Sequence, residues 1–318
     1  MNNLRRVVRD PLVIAALIAI ALVVAGGIVS PGFASPDQIV NMLRVASFLG
    51  LIAIGQTLVV LSGGEGIDLS VGTVATLGAI LASRTMAGDN AMLIPGVLLA
   101  LVVAAAIGVT NGLGIVFLKI PPFVMTLGML GVVSGLILVV TGGVADGRAA
   151  PALVHLVNGR LFFGIPGILI VWAALAVLVT LLLRRTTFGR QLYATGAGRE
   201  AARLSGVPVN RVLITTYTLS SVFAALGGIA MVGYSQQVFL NLANDLTLPS
   251  IAAVIIGGTL VAGGVGGYLG SAIGAIVLTV LTSLLTTLSM PEWARIVVQG
   301  AVLIALLAVY GRQRRLRS

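Results

Sequence analysis

The sequence predicts an all-α polytopic membrane protein, and three observations predict it. First, 58% of the 318 residues are hydrophobic and only 9% are charged, against about 25% charged in a typical soluble domain. Mean hydropathy is +1.13. Second, the charges leave uncharged runs at 11–36, 45–64, 90–118, 120–145, 161–183, 212–244, 246–291 and 296–311. A bilayer core about 30 Å thick needs roughly 20 apolar residues per helix, so these runs have spanning length. Third, Leu, Ala, Val, Ile and Gly run continuously, without the alternation of an outer-membrane barrel.

Taken in order, the runs predict about ten spans: 12–29, 45–62, 70–87, 93–118, 123–141, 165–183, 212–233, 247–262, 269–288 and 292–310. The third has the shortest apolar run. The basic start followed by 12–29 has the outline of a signal peptide, but the run reads as the first of many spans. Positive charge collects on the cytoplasmic side of such proteins. Both termini are basic: Arg5, Arg6 and Arg9 at one end, Arg312, Arg314, Arg315 and Arg317 at the other. Ten spans place both termini inside, together with Lys119 and the loop 184–211, which carries Arg184, Arg185, Arg190, Arg199, Arg203 and Arg211. Outside, Arg44, Arg84, Arg148, Arg160 and Arg295 are balanced by Asp37, Asp89, Asp146, Asp245 and Glu292, so the net +10 falls on the cytoplasmic face. The basic excess therefore reads as topology and not as nucleic-acid binding. The absence of cysteine excludes a disulfide framework and a zinc-thiolate site. No cluster of His, Asp and Glu suggests an enzyme.

The chain reads as one transmembrane domain, 1–318, with one elaborate polar loop, 184–211. Within that loop, 196–211 reads GAGREAARLSGVPVNR. Residues 195–198 read as a flexible entry. Arg199, Glu200, Ala201, Ala202, Arg203 and Leu204 make under two turns of helix, Ser205 and Gly206 end it, and Pro208 prevents continuation. A short rigid helix in a basic loop suits docking into a groove on a soluble partner.

Earlier, SGGEGIDLSVG (62–72) sets Glu65 and Asp68 between two apolar runs. An ionisable group near membrane depth is costly and commonly functional. Asp68 has the chemistry of a helix N-cap or of a solute ligand; Glu65 belongs at the wet end. In KIPPFVMTLGML (119–130), Pro121 and Pro122 fit a helix start. Gly128, Gly131 and Gly135 follow at a spacing that favours close helix packing. The segment GGTLVAGGVG (257–266) echoes GQTLVVLSGGEG (55–66), which hints at a duplicated helix–turn–helix unit. It is no phosphate loop, because no Gly-Lys-Ser/Thr follows.

Polar side chains inside spans are candidates for a translocation path: Gln56, Thr57, Asp68, Asn111, Ser134, Ser220, Ser221 and Thr259. Each has the alternative use of bonding a neighbouring helix. Gln236, Gln237, Asn241, Asn244 and Asp245 sit at the outer end of the seventh span, where a solute or a binding protein would arrive. His155 reads as a surface residue of an outer loop.

Four motifs together resemble the permease subunits of ribose-type ATP-binding-cassette importers: IDLSVG (67–72), PPFVMTLGM (121–129), the stretch 187–206, and AAVIIGGTLVAGGVG (252–266). The resemblance covers nearly the whole chain in order. Gly198 stands where the family usually has Asn, Leu260 and Val261 replace Ser and Leu, and Val265 replaces a common basic residue. The resemblance implies a type II importer-like fold and a multi-pass protein of the inner membrane. It implies a coupling helix at Gly198–Arg199–Glu200–Ala201–Ala202–Arg203–Leu204–Ser205–Gly206. It also implies a cytoplasmic ATPase that binds ATP and Mg, a periplasmic substrate-binding protein, and a second permease, identical or homologous. This chain itself would be non-catalytic and without a cofactor. The implied solute is a monosaccharide such as ribose, xylose or galactose. A nucleoside, polyol or branched-chain amino acid is the alternative, and a stand-alone secondary carrier is a further one.

Overall fold

The computed structural model describes residues 11–161 and 164–315, with the side chains of 303 and 305–315 left aside. The basic residues that set the expected orientation at both termini lie outside the described side chains.

Helices begin where sequence chemistry allows and end where it forces. α1 is Pro11–Val29, and α2 is Pro36–Leu61. Ser35 caps α2 by accepting from the Gln38 N–H, with Pro36 inside the first turn. α3 is Val71–Met86, followed by a 3₁₀ turn at Asn90–Met92 and α4 at Leu93–Val116. α5, Pro122–Thr141, starts at the predicted proline pair and stops at the left-handed Gly142. α6 is Pro151–Asn158, α7 Gly167–Arg185, α8 Thr187–Ala197, α9 Arg199–Leu204 and α10 Val209–Ser235. After a 3₁₀ turn at Asn244–Leu246 come α11 (Thr247–Ile256), α12 (Tyr268–Thr287) and α13 (Glu292–Arg315).

The all-helical polytopic reading holds. Among the described residues, seven helices are long and apolar enough to cross a membrane: α1, α2, α4 with its 3₁₀ turn, α5, α7, α10 and α12. The third and eighth expected spans are shorter than read. α3 has 16 residues and α11 has 10, about 24 Å and 15 Å at 1.5 Å per residue. α11 stops at Ile256 because Gly257 follows and Gly258 turns left-handed at φ +83. Both short helices are buried among others. Irregular backbone is tolerated at membrane depth where protein, not lipid, surrounds it.

Burial separates centre from rim. In the spanning window of α2, 83% of residues are buried, against 11% for α1. α10 is the second central helix and packs on α2, α3 and α4. Glycine lets these backbones meet. A Cβ at Gly228 of α10 would lie 1.9 Å from the Ala75 carbonyl of α3, and one at Gly274 of α12 would lie 2.1 Å from the Ala253 carbonyl of α11. Small residues at such crossings are what bring apolar helices together without a hydrophobic drive.

The glycines of α5 do the opposite of what their spacing suggests. A Cβ on Gly128, Gly131 or Gly135 would meet nothing within 4 Å. Their face points away from the rest of the chain, so they make no close packing within it.

Candidate functional site

Polar loops gather at two ends of the bundle. One end unites the turn after α2, the α8–α9 segment and the turn after α11. The other unites the loops before α2, after α3, around α6, and after α10. Among the described residues, the backbone hydrogen bonds between loops run within each group.

At the first end stands the predicted docking helix. α9 is Arg199–Leu204, with Gly198 as its N-cap residue and Ser205 as its C-cap. The Ala202 N–H donates to the Gly198 carbonyl at 2.9 Å, and the Val207 N–H donates back to the Ala202 carbonyl at 3.0 Å across Gly206, whose φ is +80. That is the stop chemistry read from Ser-Gly-x-Pro. The expected flexible entry is wrong: Thr195, Gly196 and Ala197 are the last turn of α8, and Thr195 and Gly196 are buried.

α9 has two faces. Ala202 packs beneath it with Val209 and Leu213 of α10. Ala201 and Leu204 face outward, and Leu204 is 86% exposed. Arg199 does not point outward. Its Nη2 donates to the Gly63 carbonyl at 2.9 Å. Half-burial lowers the pKa of its guanidinium, Tyr217 nearby opposes that, and Arg203 adds to it; arginine stays charged throughout.

Behind this end lies a buried polar cluster. Asp68 is fully enclosed. Its Oδ1 accepts from the Ser70 N–H at 3.0 Å and the Ser70 hydroxyl at 2.6 Å, and its Oδ2 accepts from the Ser220 hydroxyl at 2.8 Å. Asn111 Nδ2 donates to Ser70 Oγ at 3.2 Å. The N-cap position of α3 is Ser70, two residues beyond Asp68, and both Asp68 oxygens accept hydrogen bonds within the chain. Asp68 pins the start of α3 to the middle of α10, and Asn111 ties in α4.

The other path candidates are likewise enclosed. Gln56, Thr57, Asn111, Ser220 and Ser221 are buried. Thr57 donates to the Ala53 carbonyl at 2.6 Å and meets Ser271 of α12 at 2.8 Å. Thr259 Oγ1 accepts from the Gly267 N–H at 3.3 Å and holds the turn before α12. In this structure these residues, and Asp68, are enclosed within the chain. Ser134 alone among these candidates is partly exposed, on α5 beside the open glycines, with its hydroxyl bonded to the Leu130 carbonyl at 2.8 Å. Gln56 is enclosed with both amide atoms unpaired; we have no physical account of that.

At the second end an open pocket of about 730 Å³ lies between α6, the end of α10 and the turn after α3. Arg148, His155, Asn158, Gln236 and Gln237 line it. Its walls are tied together: Arg148 bridges Gln237, and the Gly88 N–H donates to the Arg148 carbonyl at 3.2 Å. His155 is a surface residue, as read. Around the pocket, Arg84 pairs with Asp146 at 3.2 Å and Arg160 with Asp37 at 2.5 Å.

Residues 38–307 match the family model described as branched-chain amino acid transport system / permease component. The chain belongs to that family. The permease is 36% identical over 285 residues to a ribose import permease protein of Bacillus subtilis (strain 168), covering 89% of this chain and 87% of that one. It is 34% identical over 289 residues to an autoinducer 2 import system permease protein of Yersinia pseudotuberculosis serotype O:3 (strain YPIII), covering 91% and 81%. A relative with the same description in Yersinia enterocolitica serotype O:8 / biotype 1B is 33% identical over 300 residues, covering 94% and 82%. No solved structure matches it. These relatives bear out the resemblance drawn from the four motifs.

Sequence reasoning passed over three aromatic side chains of the permease. Trp172 Nε1 on α7 donates to the Tyr268 hydroxyl at 2.6 Å, which donates to the Gly50 carbonyl of α2 at 2.9 Å. Tyr217 is fully buried on α10 with its hydroxyl unpaired. The available signal was a polar-tipped aromatic inside an apolar run, which needs a partner when buried.

Proposed function

We propose that this permease is the transmembrane subunit of an ATP-driven importer for a monosaccharide, with α9 as the helix that a separate cytoplasmic ATPase engages. The observation that carries the reading is α9 itself: rigidly stopped at both ends, buried through Ala202, and holding Leu204 out at 86% exposure. ATP and Mg would be bound by that ATPase, and the permease contributes no chemistry of its own. The relatives, described as permeases for import of ribose and of autoinducer 2, support a small polyhydroxylated solute. A neutral one suits the chain, since Asp68 spends its oxygens on Ser70 and Ser220. The family description favours one second reading, a branched-chain amino acid. Competition of labelled ribose uptake by excess leucine separates the two.

The reading places the α9 end in the cytoplasm of an inner-membrane protein with both termini inside. The pocket at Arg148 then faces outward, where a periplasmic binding protein would dock. A second permease, identical or homologous, would complete the path beside α5.

Two measurements test this. Co-purification in detergent of an ATPase from the same cell is expected with the intact chain and is expected to drop at least tenfold in Leu204→Glu. Undiminished capture by Leu204→Glu would sink the role of α9. Ala202 is unsuited to this test, because a charge there would unseat the helix. A reporter fused after Ser318 is expected to read as cytoplasmic; an external signal would overturn the orientation.

A further inference from the structure

Three backbone turns from distant parts of the chain converge behind α9 with no space between them. The first follows α2. Gly63, Gly64 and Glu65 are all left-handed, at φ +67, +61 and +59. The second follows α11, where Gly263 and Gly264 are left-handed at φ +88 and +70. These are the two glycine turns whose sequences echo one another, and they repeat the same left-handed pair. The third is the junction of α8 and α9. A Cβ on Gly263 would lie 2.3 Å from the Gly63 Cα, and one on Gly196 would lie 1.9 Å from the Leu61 carbonyl and 2.5 Å from the Gly264 nitrogen. The Gly264 N–H donates to the Leu61 carbonyl at 3.0 Å. Two side chains from the loop close the assembly. Arg199 donates to the Gly63 carbonyl, and its Cζ lies 2.5 Å from where a Gly64 Cβ would stand. Tyr193 donates to the Gly266 carbonyl at 2.8 Å.

We propose that this glycine knot carries displacement of α9 into the two echoing halves of the bundle, with Arg199 as the positioning residue that binds α9 to the knot. The inference rests on α9 being the coupling helix. Side-chain contacts can give way by changing rotamer, but backbone against backbone has no such slack, and close-packed matter transmits strain. A shift of α9 must therefore move the α2–α3 turn and the α11–α12 turn together. From the first turn, Asp68 hands the shift to α10 through Ser220. From the second, Tyr268 hands it to α2 and α7 through Gly50 and Trp172. One guanidinium is thereby connected to both halves.

The test uses the assembled importer in proteoliposomes, with ATP hydrolysis and ribose uptake measured on the same vesicles. Arg199→Ala is expected to retain the ATPase and to hydrolyse ATP within about twofold of the parent while uptake per ATP falls at least tenfold. Arg199→Lys restores one donor to the Gly63 carbonyl and is expected to recover part of that ratio. Tyr193→Phe, which removes one peripheral bond, is expected to lower the ratio severalfold with an unchanged melting temperature. An unchanged ratio in Arg199→Ala and Tyr193→Phe would overturn the knot's role. So would hydrolysis and uptake falling in proportion, the mark of lost fold alone. Failure of the parent chain to bind any ATPase would instead count against α9 as a coupling helix.

Discussion

The two ends of this bundle are joined by different means. At the α9 end, turns from three parts of the chain meet backbone to backbone, with glycine where a side chain would not fit and a buried carboxylate behind them. At the opposite end, loops are tied by exposed ion pairs, Arg160 with Asp37 and Arg84 with Asp146, and by single hydrogen bonds across an open pocket. Burial makes the first end intolerant and specific. Exposure makes the second adjustable, because ion pairs in water contribute little, about 0–1 kcal/mol each. On the proposals above, one end would pass on a movement and the other would present a surface.

Substitutions can break or sharpen that contrast. The largest effect is expected from Asp68→Ala, which strands the Ser70 N–H and the Ser220 hydroxyl in an enclosed site. A loss of about 2–4 kcal/mol follows from unpaired buried groups, read as a lowered thermal midpoint in detergent; parental stability would mean that Asp68 pins nothing. Next is Tyr268→Phe, which leaves Trp172 Nε1 and the Gly50 carbonyl without their shared hydroxyl. About 1–3 kcal/mol is expected, again by thermal unfolding. A cost indistinguishable from zero would show that the aromatic bridge is idle.

At the end with the open pocket the expected effects are small. Arg160→Gln should change stability by less than about 1 kcal/mol, and less still at high salt, where exposed charges are screened. A larger loss would erase the distinction between the ends. The smallest effect is expected from Gln236→Gly. Gln236 holds a left-handed conformation at φ 63 as the C-cap of α10, a place that favours glycine. Relief of that strain should raise the thermal midpoint slightly, and a clear fall would reveal a bond made by its side chain.

The sequence made much of the scaffold legible and less of the site. Uncharged runs located the long helices, and Pro122, Ser205 and Gly206 marked helix ends where the structure has them. Those are local signals, carried by residues next to the effect. The depth of polar groups is not local. Nothing near Gln56 or Asn111 in the sequence tells whether it faces a path or another helix, and both are enclosed. The glycines show the limit most clearly. Gly128, Gly131 and Gly135 have the spacing of a packing face yet a Cβ there would meet nothing within 4 Å, whereas Gly196, read as part of a flexible entry, would carry a Cβ only 1.9 Å from the Leu61 carbonyl. Glycine spacing reports what a helix face permits; the partner that uses it lies elsewhere in the fold.

The knot also sets an order of assembly. Its three strands of backbone come from near residues 63, 196 and 263, and a ribosome delivers them in that sequence. α9 is made before its seat is complete, because part of that seat does not exist until α11 and its turn have followed it into place. A chain released early would carry the α9 segment without the foundation that fixes it. Engagement of a partner at α9 would in this way favour finished molecules over fragments, a form of quality control that requires no additional component.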